Sequence, residues 1–336
     1  MNRLNVNTAS IEKLELILPR LLQNVSLSRA QIAIDQLRGA IQSGGRDRVL
    51  LVTATEDGQP DTIFAAAVAI QQPGIDREMA TVVHAGAILE ADDNTQHEWM
   101  KALHGVFEDQ LEHRGVRFAQ WATDPGDEQQ SVASWCRGLG FQPIGTLDYL
   151  KGDVDPGKFA TDVNASLEYQ AVDANSPSQY DAFVEQVEST YEQTLDCPAL
   201  ASYRTSAETL RGYRASTAYD PSGWFRVVER EASGQIAPVG CLILGLHQPQ
   251  RKAVSEPNAA NTSPVLEVVY MGIVPTARGR GLGNEVIAHA MMIAQQKTAK
   301  QIILAVDQNN VPARNIYSRA GMSEMLSETV WVRSLS

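Results

Sequence analysis

The segment that most constrains the fold is residues 265–283, where an apolar run ends at Pro275 and a glycine-rich, doubly basic turn follows. Residues 265–274 are rich in β-branched and aromatic side chains and lie between two prolines, a pattern that predicts a strand. From Leu282 onward, apolar side chains recur at helical spacing. The pattern therefore predicts a strand, a glycine loop and the N-terminus of a helix in succession.

The loop after this strand favours an anionic ligand. Its residues are Arg278, Gly279, Arg280, Gly281, Leu282 and Gly283. The first N–H groups of a helix have no partner within the helix, and the helix dipole and the arginines add positive charge, so a phosphate is the expected ligand. A dinucleotide-binding fingerprint is excluded because Asn284 stands where it requires glycine, and no Gly-Lys-Ser/Thr sequence marks a Walker loop.

A second pattern follows another apolar strand and begins at Asn310. Ala313, Tyr317 and Gly321 are spaced four apart, which places them on one face of a helix. The two patterns, Arg-x-x-Gly-x-Gly and Asn-x-x-Ala-x-x-x-Tyr-x-x-x-Gly, resemble the two signatures of the GNAT acetyltransferase superfamily, with Met322 in place of a phenylalanine. The resemblance implies acetyl-CoA as co-substrate, with its pyrophosphate held by the glycine loop.

The length and the order of elements indicate two domains. At 336 residues the chain is long enough for two domains that each bury a core. The predicted elements occur twice in the same order: helices, three strands, a long helix, a strand, a short helix and a final strand. Residues 151–166 have little apolar content and predict a linker. We therefore predict an α/β (α+β) fold of tandem GNAT domains at 1–150 and 167–336, each a mixed, mostly antiparallel sheet flanked by helices.

The first domain differs from the second at the predicted phosphate loop. In place of glycines it has Glu90, Asp92 and Asp93. Carboxylates at the start of a helix repel a pyrophosphate. We therefore expect a degenerate first domain that does not bind coenzyme A and a catalytic second domain.

The composition excludes several classes of partner. Lys and Arg number 28 against 40 for Asp and Glu, a formal net charge of −12, which argues against non-specific nucleic-acid binding. The three separated cysteines, and histidines without ligand spacing, predict neither a disulfide framework nor a metal site, and they fit a reducing compartment. Apolar runs are too short to cross a membrane and charges interrupt any signal-peptide core, so we expect a cytoplasmic protein. The oligomeric state stays open.

The expected chemistry is transfer of an acetyl group to an amine. An alkylamine with a pKa near ~10 is mostly protonated at pH 7, an offset of roughly 4 kcal/mol, so a general base is useful. Glu267 is the one carboxylate of the strand at 265–274 and matches the base that the resemblance implies, acting through water; the alternative is a solvated strand residue. Tyr317 matches the implied general acid, which protonates the leaving thiolate; the alternative is core packing.

The resemblance also implies contacts between the cofactor and the protein backbone. The N–H of Met271 would stabilise charge on the thioester oxygen, and Ile273 and Val274 would pair with the pantetheine arm. Ala313 would permit close approach of the cofactor. Asn310 would either contact the cofactor or cap its helix.

The acceptor is the least defined part of the prediction. Glu192 and Asp196 follow the first helix of the second domain and would either hold an ammonium group or be solvated. Residues 267–275 and the tandem arrangement resemble the mycothiol synthases, which acetylate the primary amine of an aminosugar-containing thiol. The leading hypothesis is an acetyl-CoA-dependent N-acetyltransferase acting on a small primary amine, either an aminosugar or an amino-acid derivative. The alternatives are a peptide or protein N-acetyltransferase and a non-catalytic acyl-CoA-binding regulator.

Overall fold

The structure, a computed structural model, describes residues 4–56, 59–72, 78–125, 131–154, 167–216, 218–230, 234–248 and 263–335. It divides into two compact units. The first unit comprises Met1–Thr146 together with Glu328–Ser336, and the second comprises Leu147–Ser327. Within these described ranges, no helix is both long and apolar enough to cross a membrane.

Both units contain helices and strands in a similar order. The helices are α1 (Leu14–Leu21), α2 (Leu27–Gly44), α3 (Asp93–His113), α4 (Ser131–Gly138), α5 (Pro177–Tyr191), α6 (Ser206–Ala215), α7 (Leu282–Gln296) and α8 (Val311–Arg319). The strands are β1 (Leu4–Thr8), β2 (Val49–Glu56), β3 (Gln59–Gln71), β4 (Met79–Ala87), β5 (Phe118–Thr123), β6 (Gln142–Asp153), β7 (Leu167–Ala171), β8 (Tyr219–Arg230), β9 (Ile236–His247), β10 (Val265–Ile273), β11 (Gln301–Asp307) and β12 (Ser323–Ser334). Short 3-10 helices lie at Ile11–Lys13, Arg46–Arg48, Pro198–Ser202 and Pro275–Ala277.

Each unit is built on a mixed, mostly antiparallel sheet. In the first unit the strands follow the order β1, β2, β3, β4, β5 and β12, and only β4 and β5 are parallel. In the second unit the order is β7, β8, β9, β10, β11 and β6, and only β10 and β11 are parallel. The predicted fold class is therefore confirmed for both halves of the chain.

Helices cover both faces of each sheet. In β2, Leu50 packs with residues of α3 and α4, whereas the next residue, Leu51, packs with residues of α1 and α2. In β9, Leu242 packs with residues of α7, whereas Ile243 packs with residues of α5 and α6. Adjacent residues of a strand point to opposite faces, so a strand covered on both sides buries every side chain.

The last strand of the chain completes the sheet of the first unit. Residues 329–334 of β12 pair with β5. Trp331 is fully buried there, and its Nε1 donates to Thr123 Oγ1 at 3.0 Å. Residues 147–153 of β6, in turn, pair with β11 in the second unit. Each sheet is thus completed by the final strand that the sequence predicts for the other half.

The predicted domain boundaries are changed by this exchange. The boundary at residue 150 lies inside β6, and residues 328–336 leave the domain predicted at 167–336. The predicted linker begins inside β6, where Lys151 pairs with Ile303, and its residues 155–166 lie outside the described part of the chain. Glycine and aspartate suggest a linker, but a strand held by main-chain hydrogen bonds to a neighbour can contain both.

Both sheets open at the corresponding place. β10 pairs with β11 only as far as Val268, although it continues alongside β9 to Ile273. The register between β10 and β9 shifts between Val268 and Tyr270, which marks a bulge. Likewise, β4 pairs with β5 only as far as Val82, and its register against β3 shifts before His84. Each bulged strand therefore diverges from its parallel neighbour and leaves a cleft in its own unit.

We predict that replacing Trp331 by alanine destabilises the first unit. Removing a fully buried tryptophan leaves a cavity and costs roughly 3–5 kcal/mol of unfolding free energy, which urea denaturation measures. The control is Met325→Ala on the same strand, because this side chain is 44% exposed. Its loss should stay below about 0.5 kcal/mol. Equal losses of unfolding free energy in the two variants would show that Trp331 is not part of the core of the first unit.

Candidate active site

A cavity of about 600 Å³ lies in the second unit where β10 and β11 diverge. Its walls are the end of β10, the loop before α7, the first turns of α8 and the segment after α5. The predicted site residues that line it are Asp196, Met271, Ile273, Arg278, Gly279, Gly281, Leu282, Gly283, Asn310, Ala313 and Tyr317. The predicted site residues outside its lining are Glu192, Glu267, Val274 and Arg280.

The end of β10 turns main-chain groups toward this cavity. Val274 donates its N–H to the carbonyl of Val239 on β9 at 3.0 Å. Main-chain groups alternate in direction along a strand, so the N–H groups of Met271 and Ile273 point to the side that β11 has left. The carbonyl of Val274 is also engaged, because it accepts the N–H of Ala277. The structure therefore presents the N–H groups of Met271 and Ile273 to a ligand, whereas both main-chain groups of Val274 are already bonded within the protein.

The start of α7 has the form of an anion-binding site. Gly281 is the N-cap residue and has φ +84°, and Gly279 has φ +75°, conformations that glycine adopts without strain. In the described backbone, the N–H groups of residues 279–283 donate to no carbonyl. A Cβ atom on Gly283 would lie 2.7 Å from Ile316 Cδ1, so glycine lets α7 begin directly against α8. Free N–H groups thus remain at a helix start that faces the cavity.

Arg278 holds the walls of the cavity together rather than reaching into it. Its Nε donates to the carbonyl of Ile273 at 2.9 Å, Nη1 to that of Gln193 at 3.0 Å and Nη2 to that of Thr190 at 2.9 Å. These bonds tie the end of β10 to the end of α5. Three of the five N–H donors of its guanidinium are used in these bonds, and its positive charge lies near the loop. Direct binding of a phosphate by Arg278 stays a prediction.

Arg280 is engaged as well. Its Nη2 donates to a carboxylate oxygen of Glu229 at 2.6 Å. Arg280 does not line the cavity, and a contact between its guanidinium and a phosphate stays a prediction. The sequence pattern located the loop correctly, and the donors that the loop offers are main-chain groups.

Asn310 caps the helix that carries the second signature. Its side-chain oxygen accepts the N–H of Ala313 at 3.3 Å, at the start of α8. The capping alternative is therefore present in the structure, and both residues also line the cavity.

Tyr317 places a phenol in the cavity wall. The side chain is 6% exposed, and within the described part of the chain its hydroxyl has no hydrogen-bond partner. Burial, and then the nearby charge of Asp196, raise the pKa of Tyr317 above its ordinary value. A phenol with a raised pKa stays protonated at neutral pH and has a free proton to donate.

Asp196 is the one carboxylate predicted for the acceptor that reaches the cavity. Its Oδ1 accepts the N–H of Asp307 at 3.0 Å, and Asp307 Oδ2 accepts the N–H of Cys197 at 3.1 Å. These bonds fasten the segment after α5 to the end of β11. Burial raises the pKa of Asp196. Glu192, in contrast, is exposed and does not line the cavity.

Glu267 forms a pair that the sequence did not reveal. Its Oε2 lies 2.6 Å from Nε2 of His247, and the two side chains are 33% and 41% exposed. This hydrogen bond, more than the opposing effect of burial, raises the pKa of His247. Glu267 precedes the point where β10 diverges and does not line the cavity. The sequence did not predict the contact with His247, because the segment between β9 and β10 is long and the register of the two strands therefore cannot be deduced from it.

Comparison with known proteins shows a similarity between the second unit and one protein family. Residues 187–322 match the model of the Acetyltransferase (GNAT) family. This range contains the glycine loop, the divergent strand pair and α8 with Tyr317. The matched segment is therefore similar to the family whose two signatures the sequence resembles.

Curated proteins similar to this chain include several mycothiol acetyltransferases. The one from Geodermatophilus obscurus is 29% identical over 129 residues, which is 38% of this chain and 38% of that protein. The one from Corynebacterium aurimucosum is 34% identical over 77 residues, 23% of this chain and 25% of that protein. The matched part thus spans well under half of the length of these relatives.

Solved structures extend the similarity in fold to the whole chain. A GCN5-related N-acetyltransferase from Sphaerobacter thermophilus has a TM-score of 0.57 and 14% identity, over 100% of this chain and 96% of that chain. A GCN5-related glucosamine N-acetyltransferase region of a fungal multi-domain GH3 beta-N-acetylglucosaminidase has a TM-score of 0.54 and 13% identity, over 99% of this chain and 38% of that chain. At this identity the similarity shows the fold alone.

The two arginines of the loop should differ in their effect on stability. Arg278→Ala should lower the unfolding free energy by roughly 1.5–3 kcal/mol, because three carbonyls lose a charged donor. Arg280→Ala is the matched control, and its exposed ion pair should contribute nothing measurable. Urea denaturation of both variants checks this prediction. Equal stability of the two variants would show that Arg278 does not hold the cavity walls.

Proposed function

We propose that the protein is an acetyl-CoA-dependent N-acetyltransferase that acts on the primary amine of a small molecule. The observation that carries this proposal is the open edge of β10, which leads from the free N–H groups at the start of α7 to the unpartnered hydroxyl of Tyr317. A nucleotide-bearing thioester needs an anion site, an extended strand edge and a proton donor in this order. The similarity to mycothiol acetyltransferases supports the same reaction class.

The residues that would hold acetyl-CoA follow from the cavity wall. The N–H groups of residues 279–283 would bind the pyrophosphate. The main-chain N–H of Ile273 would pair with the pantetheine arm, and Ala313, a small residue in the wall, leaves room beside it. Bound there, acetyl-CoA supplies an activated acyl carbon.

The reaction is the direct attack of an amine on the thioester. The amine nitrogen forms a bond to the acyl carbon, the carbon–sulfur bond breaks, and the amine loses a proton. The N–H of Met271 would stabilise the negative charge that develops on the acyl oxygen. Tyr317 would give its proton to the departing sulfur, which leaves coenzyme A as a thiol.

The proton of the amine would pass to Glu267 and His247. Glu267 does not line the cavity, so the proton would reach it through water, as the sequence already suggested. The short bond to His247 lets the pair accept one proton in common, and His247 is exposed enough to pass it to solvent. Asp196 lies in the cavity wall near Tyr317, where its charge would hold an incoming ammonium group.

The first unit would not bind coenzyme A. The N-cap residue of α3 is Asp92, and its carboxylate accepts the N–H of Thr95 at 2.8 Å. This carboxylate occupies the place that Gly281 occupies in the second unit. A negative charge there uses a helix donor and repels a phosphate.

The nature of the acceptor is tested with purified protein, acetyl-CoA and a panel of amines, with release of free thiol as the signal. We expect release with small primary amines such as amino sugars, because one half-buried carboxylate, Asp196, is the only acidic side chain of the described cavity wall. Release with peptides alone would favour peptide N-acetylation. Binding of acetyl-CoA without release on any acceptor would favour an acyl-CoA-binding regulator.

Tyr317→Phe tests the proposed general acid. The variant should lower kcat by roughly 10²-fold, because proton donation to the sulfur is lost, while the affinity for acetyl-CoA stays unchanged. Tyr169→Phe is the matched control, because the Tyr169 hydroxyl is also buried without a partner but does not line the cavity. Full activity of Tyr317→Phe would restrict Tyr317 to packing.

The pair of Glu267 and His247 predicts a specific pH dependence. The hydrogen bond raises the pKa of His247 above 6.5, so the pair keeps its proton to a higher pH and acts as a base only above it. His247→Gln removes the group whose pKa this hydrogen bond raises, so the rising limb of kcat should move to lower pH. The amine substrate also ionises with pH, and this effect is the same for both enzymes. It therefore cancels in the ratio of variant to wild-type kcat.

Two further variants complete this test. Glu267→Gln should lower kcat at every pH and leave the affinity for acetyl-CoA unchanged. His97→Gln, which changes an exposed histidine of the first unit, should keep the wild-type pH profile. A wild-type pH profile in His247→Gln would show that His247 takes no part in proton transfer from the amine.

A further inference from the structure

The first unit has a cavity of its own, and the proposed acetyl transfer does not use it. Its volume is about 370 Å³, and it is formed by the end of α1, the divergent end of β4, the loop before α3 and the helix α4. These elements correspond to those around the cavity of the second unit. The cleft left by the bulge in β4 is therefore not filled by side chains.

His84 is a buried polar side chain in the wall of this cavity. It is 5% exposed, and its ring lies edge-on to Trp121 at 5.7 Å between ring centroids. Within the described ranges, neither ring nitrogen makes a hydrogen bond. Burial is the main cause that lowers the pKa of His84 to about 4. The imidazole is therefore neutral at pH 7 and offers one donor and one acceptor to a ligand.

Charged groups of both signs lie near His84, and the charge in the cavity wall itself is negative. Arg29, which is close to His84, is bound by Asp124 at 3.4 Å and by Glu328 at 2.8 Å. Glu90 lies in the wall, and no lysine or arginine is among the described residues there. One guanidinium thus faces two carboxylates behind the cavity, and another carboxylate lies in its wall. The carboxylate of Glu90, with no basic side chain among the described wall residues, favours a cation over an anion.

The remaining wall supplies hydrogen-bonding groups. Gln23, Asn24 and Gln96 contribute amide side chains. Amides and a neutral imidazole bind amine and hydroxyl groups, because both can donate and accept. Trp135 adds an apolar surface.

We propose that this cavity of the first unit binds a small organic ammonium compound that also carries hydroxyl groups, with His84 and Glu90 as its principal partners. The neutral ring of His84 accepts a hydrogen bond from the ligand, and the carboxylate of Glu90 balances the positive charge. The site is separate from the acetyl-CoA cavity. Its occupation does not depend on acetyl transfer in the second unit.

The test uses three compounds of nearly equal shape and different charge: 4-aminobutan-1-ol, butane-1,4-diol and 4-hydroxybutyrate. NMR of histidine ring protons in the full chain follows their binding, and the signal of His84 is assigned by its through-space contact with Trp121 and by its loss in His84→Gln. The aminoalcohol should shift the His84 signal with saturation, the diol should bind at least tenfold more weakly, and the anion should produce no shift.

A variant at an exposed residue of the cavity wall tests the proposal without changing the buried core of the first unit. Glu90 is exposed, so Glu90→Gln should fold normally and weaken binding of the aminoalcohol about two- to fivefold. The absence of any His84 shift with the aminoalcohol, equal shifts with all three compounds, or unchanged affinity in Glu90→Gln would each overturn the proposal. None of these readouts requires the protein to be active.

Discussion

The site depends on the absence of pairing between the ends of β10 and β11. Their parallel pairing ends at Val268, and a bulge in β10 directs the rest of the strand away while β9 still holds its other edge. Unpaired main-chain groups in a protein interior require partners. Here Arg278 binds the carbonyl of Ile273, whereas the N–H groups of Met271 and Ile273 have no partner among the described residues. Gly283 lets α7 begin directly against α8. The cavity is therefore a consequence of strand geometry, which specific contacts then preserve.

The two clefts show how one architecture can present opposite chemistry. Both arise beside a bulged strand that leaves its parallel neighbour. In the second unit the following helix begins at Gly281, which leaves its first donors free. In the first unit it begins at Asp92, whose carboxylate satisfies one donor and adds negative charge. The different residues at the two helix starts would thus separate the proposed phosphate cleft from the proposed cation cleft.

The sequence predicted those parts of the site that depend on neighbouring residues. The strand predicted at 265–274 is β10, and the helix predicted to begin at Leu282 is α7. Contacts between distant residues were not predictable. Arg278 binds the carbonyl of Thr190, 88 residues earlier, and His247 meets Glu267 across a loop whose length hides the strand register. The destination of the last strand was missed for the same reason, because both sheets offer it a similar edge.

The exchange of final strands couples the completion of one unit to synthesis of the other. The first unit lacks a sheet strand until residues 328–336 have been made, after the whole of the second unit. At 5–20 residues per second, the ribosome needs roughly 10–40 s to make the intervening chain. During this time the edge of β5 has no partner from its own unit, and an unpaired edge invites association with other chains. The nascent protein therefore exposes that edge while the second unit is being made.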